Sequence, residues 1–210
     1  MIQNLNMIYH KLERGYNMKN LTVTIITLIL LLTTANINAQ NYWSVELRNG
    51  ASFATKDLGD ANPGTGFGFE GTIAYRFMPH LAVYAGWGWN KFSADNSFAG
   101  ANMDFEETGY TFGFQFIHPI GESNISYLVR LGGIANHIEI ENPDGKIISD
   151  SGHGLGWQAG AGIVIPVFDR LNLLPSVRYR SLSRDIQIGN TVTSVDQNYV
   201  SVGVGLSWSF

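Results

Sequence analysis

The chain has 210 residues and a formal net charge of −4, and 45% of its residues are hydrophobic, 12% aromatic and only 14% charged. So few charges exclude a disordered chain, and the acidic balance argues against a nucleic-acid-binding protein, which would carry a basic face. The absence of cysteine excludes disulfides, thiolate metal sites and cysteine nucleophiles. The 24 glycines are unusual for a helical domain, because glycine weakens helices.

The first apolar segment predicts an export signal. Residues 21–32 carry no charge, Lys19 precedes them, and small or polar residues follow up to Ala39. This pattern is typical of a secretory signal peptide and is shorter than the roughly 20 apolar residues of a membrane-spanning helix. We predict that translation starts at Met18, that residues 1–17 are a mis-assigned extension, and that residues 18–39 are the signal. Cleavage after Ala39 is predicted, with cleavage after Ala35 as the alternative.

Residues 40–210 are dominated by a period of two. Every second residue from Val200 to Phe210 is apolar, and only serine and glycine lie between them. Because successive side chains of a strand point to opposite faces, this alternation predicts a strand with one apolar face. Seven further segments show the same alternation: 43–53, 66–77, 81–90, 109–116, 125–132, 154–165 and 171–180. In the fifth of these, Leu128 breaks the pattern.

The alternation fits either an exported soluble β-sandwich or lipocalin-like barrel, or a membrane barrel whose apolar face meets lipid. The polar faces are crowded with glycine and other small residues, as the narrow interior of a small barrel requires. The segments also supply the 9–11 residues that a membrane-spanning strand needs. These features favour the membrane barrel. Candidates for the aromatic girdles at the membrane surfaces are Trp43, Trp89, Trp157, Trp208 and Phe210.

The connections alternate in length. Short ones cover 78–80, 118–124 and 166–170, whereas long polar ones cover 54–65, 91–106, 139–152 and 183–197. Outer-membrane barrels have short periplasmic turns and longer extracellular loops. The sequence therefore predicts an all-β fold, an eight-stranded antiparallel up-and-down transmembrane β-barrel that follows a cleaved signal peptide, with both ends in the periplasm.

Glycine and aromatic residues are mixed in residues 64–77 (GTGFGFEGTIAYRF) and 81–92 (LAVYAGWGWNKF), and the sequence ends in GLSWSF. In these features the chain resembles the small eight-stranded outer-membrane barrels of Gram-negative bacteria, the OmpA/OmpX-like transmembrane domain family. The resemblance implies an outer-membrane location, contact with outer-membrane lipid and lipopolysaccharide, and insertion by the barrel-assembly machinery. The residues that resemble the family's assembly signal are Gly205, Leu206, Trp208 and Phe210. A polar residue usually opens that signal, and Gly203 departs from this.

Seven charged residues lie on the predicted inward faces: Glu46, Arg48, Glu70, Arg76, Arg130, Arg178 and Arg180. Buried charges must be paired or hydrated, and we expect Arg48 and Glu70 to pair because they lie at similar heights on adjacent strands. The set predicts a polar network that plugs a barrel too narrow for an open pore. Its surplus of arginine leaves open a small, anion-tolerant conduit.

Other motifs predict no catalytic, cofactor or metal site. GFGFEG at residues 66–71 matches a dinucleotide-binding pattern but precedes a strand rather than a helix. His137 and His153, flanked by Glu139 and Asp150, are interpreted as solvated loop residues, although a metal site there is an alternative. The weakest alternative is a lipid A-modifying enzyme that uses His153 with Ser151 and Asp150. The acidic residues of the long loops suggest divalent cations held against lipopolysaccharide phosphates.

The sequence thus predicts a non-enzymatic protein with a structural, envelope-stabilising or surface-interaction role, no cofactor, no nucleic-acid partner and an unidentified surface ligand. The alternative is a narrow porin-like or OmpW-like conduit for small solutes or hydrophobic molecules through a lateral opening. A proline on the lipid face of the seventh segment, Pro175, removes one ladder hydrogen bond and gives that alternative some support.

Overall fold

A computed structural model describes residues 42–58, 61–188 and 190–210. The predicted extension 1–17 and the signal peptide 18–39 lie outside these residues. In the described part of the chain, no helix is long and apolar enough to cross a membrane. The strands are β1 (Trp43–Ala54), β2 (Gly66–Arg76), β3 (Leu81–Ser97), β4 (Gly100–Pro119), β5 (Ser126–Glu141), β6 (Ile147–Asp150), β7 (Gly154–Phe168), β8 (Leu171–Ile188) and β9 (Thr191–Ser209).

Eight of these strands close into a barrel. Each pairs antiparallel with its neighbours in chain order, β5 pairs with β7, and the β1–β9 and β4–β5 ladders complete the ring. The short β6 lies outside the ring and pairs only with the far end of β5 among the described strands. The predicted eight-stranded up-and-down barrel is therefore confirmed, with one additional strand in a loop.

The apolar faces of the strands point outward. On β4, the side chains of Tyr110, Phe112 and Phe114 are each about half exposed, while the alternate residues Thr111 and Gln115 are buried. Leu128, which breaks the alternation on β5, points inward and is 3% exposed. The outward aromatic and aliphatic side chains form a continuous band around the barrel, as a lipid-facing surface requires.

Glycine allows the barrel to be narrow. Gly113 of β4 lies opposite Gly132 of β5. A Cβ atom on Gly132 would lie 2.6 Å from the hydroxyl of Tyr84, which crosses the interior from β3, and 2.1 Å from the carbonyl oxygen of Phe112. Any side chain at this position would displace the backbone of the neighbouring strand.

Three of the predicted long loops are largely strand, which corrects the prediction. β3 continues to Ser97 and β4 begins at Gly100, so that only a tight turn joins them. A similar turn near residue 190 joins β8 and β9. The predicted loop 139–152 is mostly the β5–β6 hairpin. The connection after β1 stays irregular, and a bridge between Leu58 and Ala61 folds it back on itself.

The sequence does not predict these strand extensions, because the apolar residues there change from the outward face to the inward face. On the extended part of β5, Ile138 and Ile140 point inward and are fully buried, whereas the outward positions are His137, Glu139 and Glu141. Beyond the lipid, the outer surface meets water and the interior can be apolar, so the burial rule of a soluble barrel applies. The sequence prediction treats these outward charges as loop residues.

Candidate functional site

The interior of the barrel is the candidate site, and charged residues cross it at the depth of the apolar band. Strands β1, β2, β4, β5 and β8 contribute inward side chains that bond to one another across the lumen. We call this set the ion-pair layer; its members are Glu46, Arg48, Glu70, Glu107, Arg130, Arg178 and Arg180. Six of them were predicted to be inward residues from the sequence, and Glu107 was not.

Glu70 is the centre of one half of the layer. It is 2% exposed, and its two carboxylate oxygens accept hydrogen bonds from Arg178, at 2.6 Å, and from Arg180. The expected pair of Glu70 with Arg48 is wrong, although the two residues are direct register partners on β1 and β2. Pairing across the lumen links β2 to β8 on the far wall.

Glu107 is the functional residue that the sequence analysis missed. Its carboxylate accepts hydrogen bonds from Arg180 at 3.1 Å, from the Tyr199 hydroxyl at 2.6 Å, and from the Asn136 amide. The sequence prediction leaves Glu107 between the loop 91–106 and the strand segment 109–116, but it lies on β4 with a 1% exposed side chain. The signal that could have found it is the strand alternation, which places Glu107 two residues before Gly109 on the inward face.

A second group ties β1 to β5. Arg130 donates to Glu46 at 2.5 Å and to the side-chain oxygen of Gln115 at 2.7 Å. Its guanidinium also lies over the ring of Tyr84, 5.2 Å from the ring centroid, which is a favourable position for a cation. Every charged group in this part of the layer has a partner of opposite charge.

Arg48 differs from the other arginines of the ion-pair layer. It is 5% exposed, and it donates to the hydroxyl of Ser176 at 3.0 Å and that of Ser201 at 3.4 Å, and to their backbone carbonyl oxygens. None of the described carboxylates lies within ion-pair distance of it. Arg48 is therefore held by neutral acceptors.

The lumen ends in a small cavity on the side of the short connections. Its volume is about 230 Å³, and Arg76, which the sequence predicted to be inward, is one of its lining residues. The guanidinium of Arg76 lies 5.9 Å from the ring centroid of Tyr42. Other residues around this cavity are His80, Gln115, Ser126 and Ser209.

An apolar cluster fills the opposite end, which we call the outer core. Its central side chains include Phe92, Phe105 and Tyr199, and the rings of Phe92 and Tyr199 meet edge to face at 5.3 Å. Residues from the connection after β1 complete it, so this connection folds into the mouth of the barrel. The buried members are Leu58, Ala61, Phe92, Ala94, Phe105, Ile134, Ile138, Ile140, Leu182, Ile186, Val195 and Tyr199.

Arg184 was assigned to a loop and points inward. It lies on β8, is 8% exposed and donates to the backbone carbonyl oxygens of Asn136, Leu155 and Gly154. Burial lowers the pKa of Arg184, and the nearby carboxylate of Glu107 opposes that shift. It caps free carbonyl groups beside the outer core.

Outside the barrel, beyond the apolar band, Lys91 is surrounded by carboxylates. Its ammonium nitrogen lies 2.8 Å from Asp104, 2.9 Å from Glu106 and 3.0 Å from Glu141. Desolvation disfavours the charged form of Lys91, but hydrogen bonds to the three carboxylates outweigh it and raise its pKa. Desolvation likewise opposes ionisation of Asp104 and Glu106, yet their hydrogen bonds lower both pKa values. The cluster has an excess of negative charge.

His137, Glu139 and Asp150 come together at the β5–β6 hairpin, with their candidate ligand atoms within 4.8 Å of one another. His137 Nδ1 lies 3.0 Å from Asp150, and the ring of His153 stacks on that of His137 at 4.5 Å. Desolvation is outweighed by the hydrogen bond from the Gly152 amide and by His137, which together lower the pKa of Asp150. This group combines ligand types that suit a transition metal.

The residues weighed for catalysis do not form a relay. Ser151 donates its hydroxyl proton to the carbonyl oxygen of Gly152 and accepts a hydrogen bond from the amide of Ile138. Asp150 bonds to His137, whereas His153 makes ring contacts with His137 and Tyr110. A serine nucleophile needs a base within hydrogen-bond reach, and Ser151 directs its proton elsewhere.

The predicted assembly signal lies on β9, at the seam that closes the barrel. Leu206 and Trp208 are half exposed on the lipid face, whereas Gly205 faces inward against Glu46. The backbone of Phe210 forms two hydrogen bonds with Trp43, at 2.9 and 3.1 Å. These residues therefore help to close the barrel, in addition to resembling the family's assembly signal.

Comparison with known proteins identifies the family. Residues 25–210 match the outer membrane protein beta-barrel domain, and the chain belongs to that family. It is thus a β-barrel protein of the bacterial outer membrane, as predicted from the sequence. The chain has no match among curated proteins.

Solved structures of small outer-membrane proteins share the fold. Neisserial surface protein A is 14% identical with a TM-score of 0.59, covering 81% of this chain and 98% of its own. OprG from Pseudomonas aeruginosa is 16% identical with a TM-score of 0.51, covering 79% and 95%. Outer membrane protein W of E. coli is 15% identical with a TM-score of 0.50, covering 80% and 97%. At these identities the similarity extends to the fold alone.

Proposed function

We propose that this protein is a non-enzymatic barrel with a structural, envelope-stabilising or surface-interaction role and a plugged interior. The observation that carries the proposal is the filling of the lumen at two successive heights, by the ion-pair layer and by the outer core. Both the ion-pair layer and the outer core use side chains from opposite walls of the barrel, so neither can move aside without losing buried contacts.

The ion-pair layer supports a plug because its bonds cross the lumen. Glu70 joins β2 to β8, Glu107 joins β4 to β8, and Glu46 joins β1 to β5. Separating a buried pair leaves an uncompensated charge and costs about 3–5 kcal/mol. An ion that passed through would have to break several of these pairs.

The outer core supports the same function on the extracellular side. Phe105, Ile138 and Val195 have no exposed surface, and Leu58 of the β1 connection packs with them. Dense apolar packing leaves little room for water, which a conducting pathway needs. Because the outer core closes one end of the barrel, the 230 Å³ cavity at the other end does not continue through the lumen.

The outer surface supplies the proposed interaction. The carboxylates around Lys91 and those near His137 lie where the outward residues of the strands change from apolar to charged. Carboxylate oxygens bind Ca²⁺ and Mg²⁺, which could bridge to the phosphates of lipopolysaccharide. We propose lipopolysaccharide as the surface partner and the barrel-assembly machinery as the partner during insertion.

Planar-bilayer recording tests the plug. The wild-type protein is expected to give no sustained conductance, and a variant with Arg178→Ala, Arg180→Ala and Phe105→Ala is expected to gain conductance. An Arg170→Ala variant in the exposed β7–β8 turn serves as the control and should remain silent. Sustained wild-type conductance that the double change Arg178→Ala, Arg180→Ala abolishes would contradict the plug. Mass spectrometry of lipid A tests the absence of enzymatic activity, and loss of an acyl chain would refute it.

The second candidate is a conduit with a lateral opening, and one observation favours it. The β7–β8 register has pairs at Gly162–Ser176 and at Ile165–Leu173, with none between them in the described strands. Pro175, which has no N–H group, lies in this gap. If the gap admits solutes, Pro175→Val should close it and reduce the uptake of an apolar dye by cells, without changing the amount of folded barrel.

A further inference from the structure

The ion-pair layer does not balance its own charge. It contains four arginines and three glutamates, which leaves one positive charge at the depth of the membrane. Charge of either sign is costly to bury in a low-dielectric interior unless it is compensated. The surplus can be assigned to a residue, because Arg130, Arg178 and Arg180 each bond to a carboxylate while Arg48 bonds to serine and backbone oxygens.

A cavity adjoins Arg48 between β1, β2, β3, β8 and β9. Its polar lining includes Arg48, Ser52, Asn90, Arg178, Arg180, Ser201 and the carboxylate-bearing Glu70. Gly50 and Gly68 also line it. The volume is about 10 Å³, which corresponds to one water-sized particle.

Two buried donors in this lining have no acceptor. They are the Nδ2 amide group of Asn90, a residue that is 4% exposed, and the Nε group of Arg178. The Asn90 side-chain oxygen is already used by the hydroxyl of Ser52, at 2.8 Å. Buried polar groups in native proteins nearly all have partners, so unpaired donors beside a cavity indicate an occupant that accepts hydrogen bonds.

We propose that this cavity binds one monatomic anion, for which chloride is the abundant candidate, between Arg48, Asn90 and Arg178. The small volume excludes sulfate, phosphate and carboxylates. The negative charge of Glu70, which also lines the cavity, is compensated by Arg178 and Arg180, each of which pairs with one of its oxygens. A water molecule could pair with the same donors, but it would leave the surplus charge of Arg48 uncompensated. The proposal goes beyond the plugged-barrel function, since it assigns an ion to the interior whether or not the barrel conducts.

Crystals grown with bromide in place of chloride test the site directly. An anomalous peak within hydrogen-bond distance of Arg48 and Asn90 is expected. Density without an anomalous signal would show a water molecule and overturn the proposal. This measurement reads occupancy and not conduction, so it can fail while the plug stands.

Stability measured in two salts tests it in solution. Replacing chloride by gluconate at constant ionic strength is expected to raise the unfolding equilibrium constant of the wild-type barrel about tenfold, the shift expected when the ion is present at about ten times its Kd. Arg48→Gln removes the surplus charge and should abolish this dependence. Arg170→Gln makes the same change in the exposed β7–β8 turn and should retain it. Equal wild-type stability in both salts, or an unchanged dependence in Arg48→Gln, would refute the proposal.

Discussion

Arg48 and Glu70 lie directly opposite each other on β1 and β2, yet Glu70 directs its carboxylate across the lumen to Arg178 and Arg180. Neighbouring strands are already joined by backbone hydrogen bonds, whereas opposite walls of the barrel are joined only by side chains. The cross-lumen pairs therefore hold the cross-section of the barrel. They also leave Arg48 to the serines beside it.

Glu70→Gln should be one of the most destabilising single changes in the interior. It removes the charge that pairs with Arg178 and Arg180 and leaves two buried arginines with too little compensation, at an expected cost of about 3–5 kcal/mol. The free energy of unfolding in urea, measured in lipid vesicles, provides the check. Glu122→Gln in an exposed turn is the matched control and should change stability by less than about 0.5 kcal/mol. Equal losses in the two variants would show that the ion-pair layer does not stabilise the barrel.

Ile138→Ala should create a cavity in the outer core. The side chain is fully buried, and removing its methylene and methyl groups is expected to cost about 2–5 kcal/mol. Ile147→Ala, at a 48% exposed position on β6, is the control of the same chemistry and should cost much less. The comparison uses chemical unfolding of both variants. A small loss for Ile138→Ala would mean that the outer core is loosely packed and is not a seal.

The carboxylates around Lys91 predict an acid-sensitive contribution to stability. Asp104 and Glu106 have pKa values below their usual 3.8 and 4.5, so their stabilisation is present above those values and is lost as pH falls through the lowered ones. Because the pKa of Lys91 is raised, the stabilisation that its positive charge provides is lost only at strongly alkaline pH. Wild type should therefore lose about 1 kcal/mol more than Lys91→Gln when the pH is lowered from about 5 to 3. Parallel pH profiles of the two proteins would contradict this prediction.

Phe210→Ala should separate assembly in cells from stability. The backbone hydrogen bonds of residue 210 to Trp43 are retained in the variant, so refolding into vesicles should change little. If the resemblance of residues 205–210 to an assembly signal is functional, the amount of folded barrel in outer membranes of cells should fall several-fold. Phe168→Ala, at a 70% exposed position next to a turn, controls for the loss of a surface aromatic residue. Heat-modifiable gel mobility measures the folded fraction, and equal yields of the two variants would argue against the signal.

The membrane barrel follows from the sequence alone. Alternation of one apolar and one glycine-rich face over eight segments defines the lipid side, the lumen side and the strand count, because strand geometry assigns successive residues to opposite faces. It also assigned Arg130, Arg178 and Glu70 to the interior. The face on which a residue lies is a local property of its strand, and it does not depend on which strands pair.

Which charges meet, and where the apolar outer surface ends, depends on the tertiary structure. Glu70 and Arg178 are far apart in the chain and on different walls, so their pairing depends on the diameter and closure of the ring. The sequence does not predict the strand extensions that carry Glu107 and Arg184, because the outward residues there are polar and apolar residues such as Phe105 and Ile186 point inward. Alternation gives the face of a residue relative to its neighbours, but the surrounding solvent decides which face is apolar, and that changes at the membrane surface.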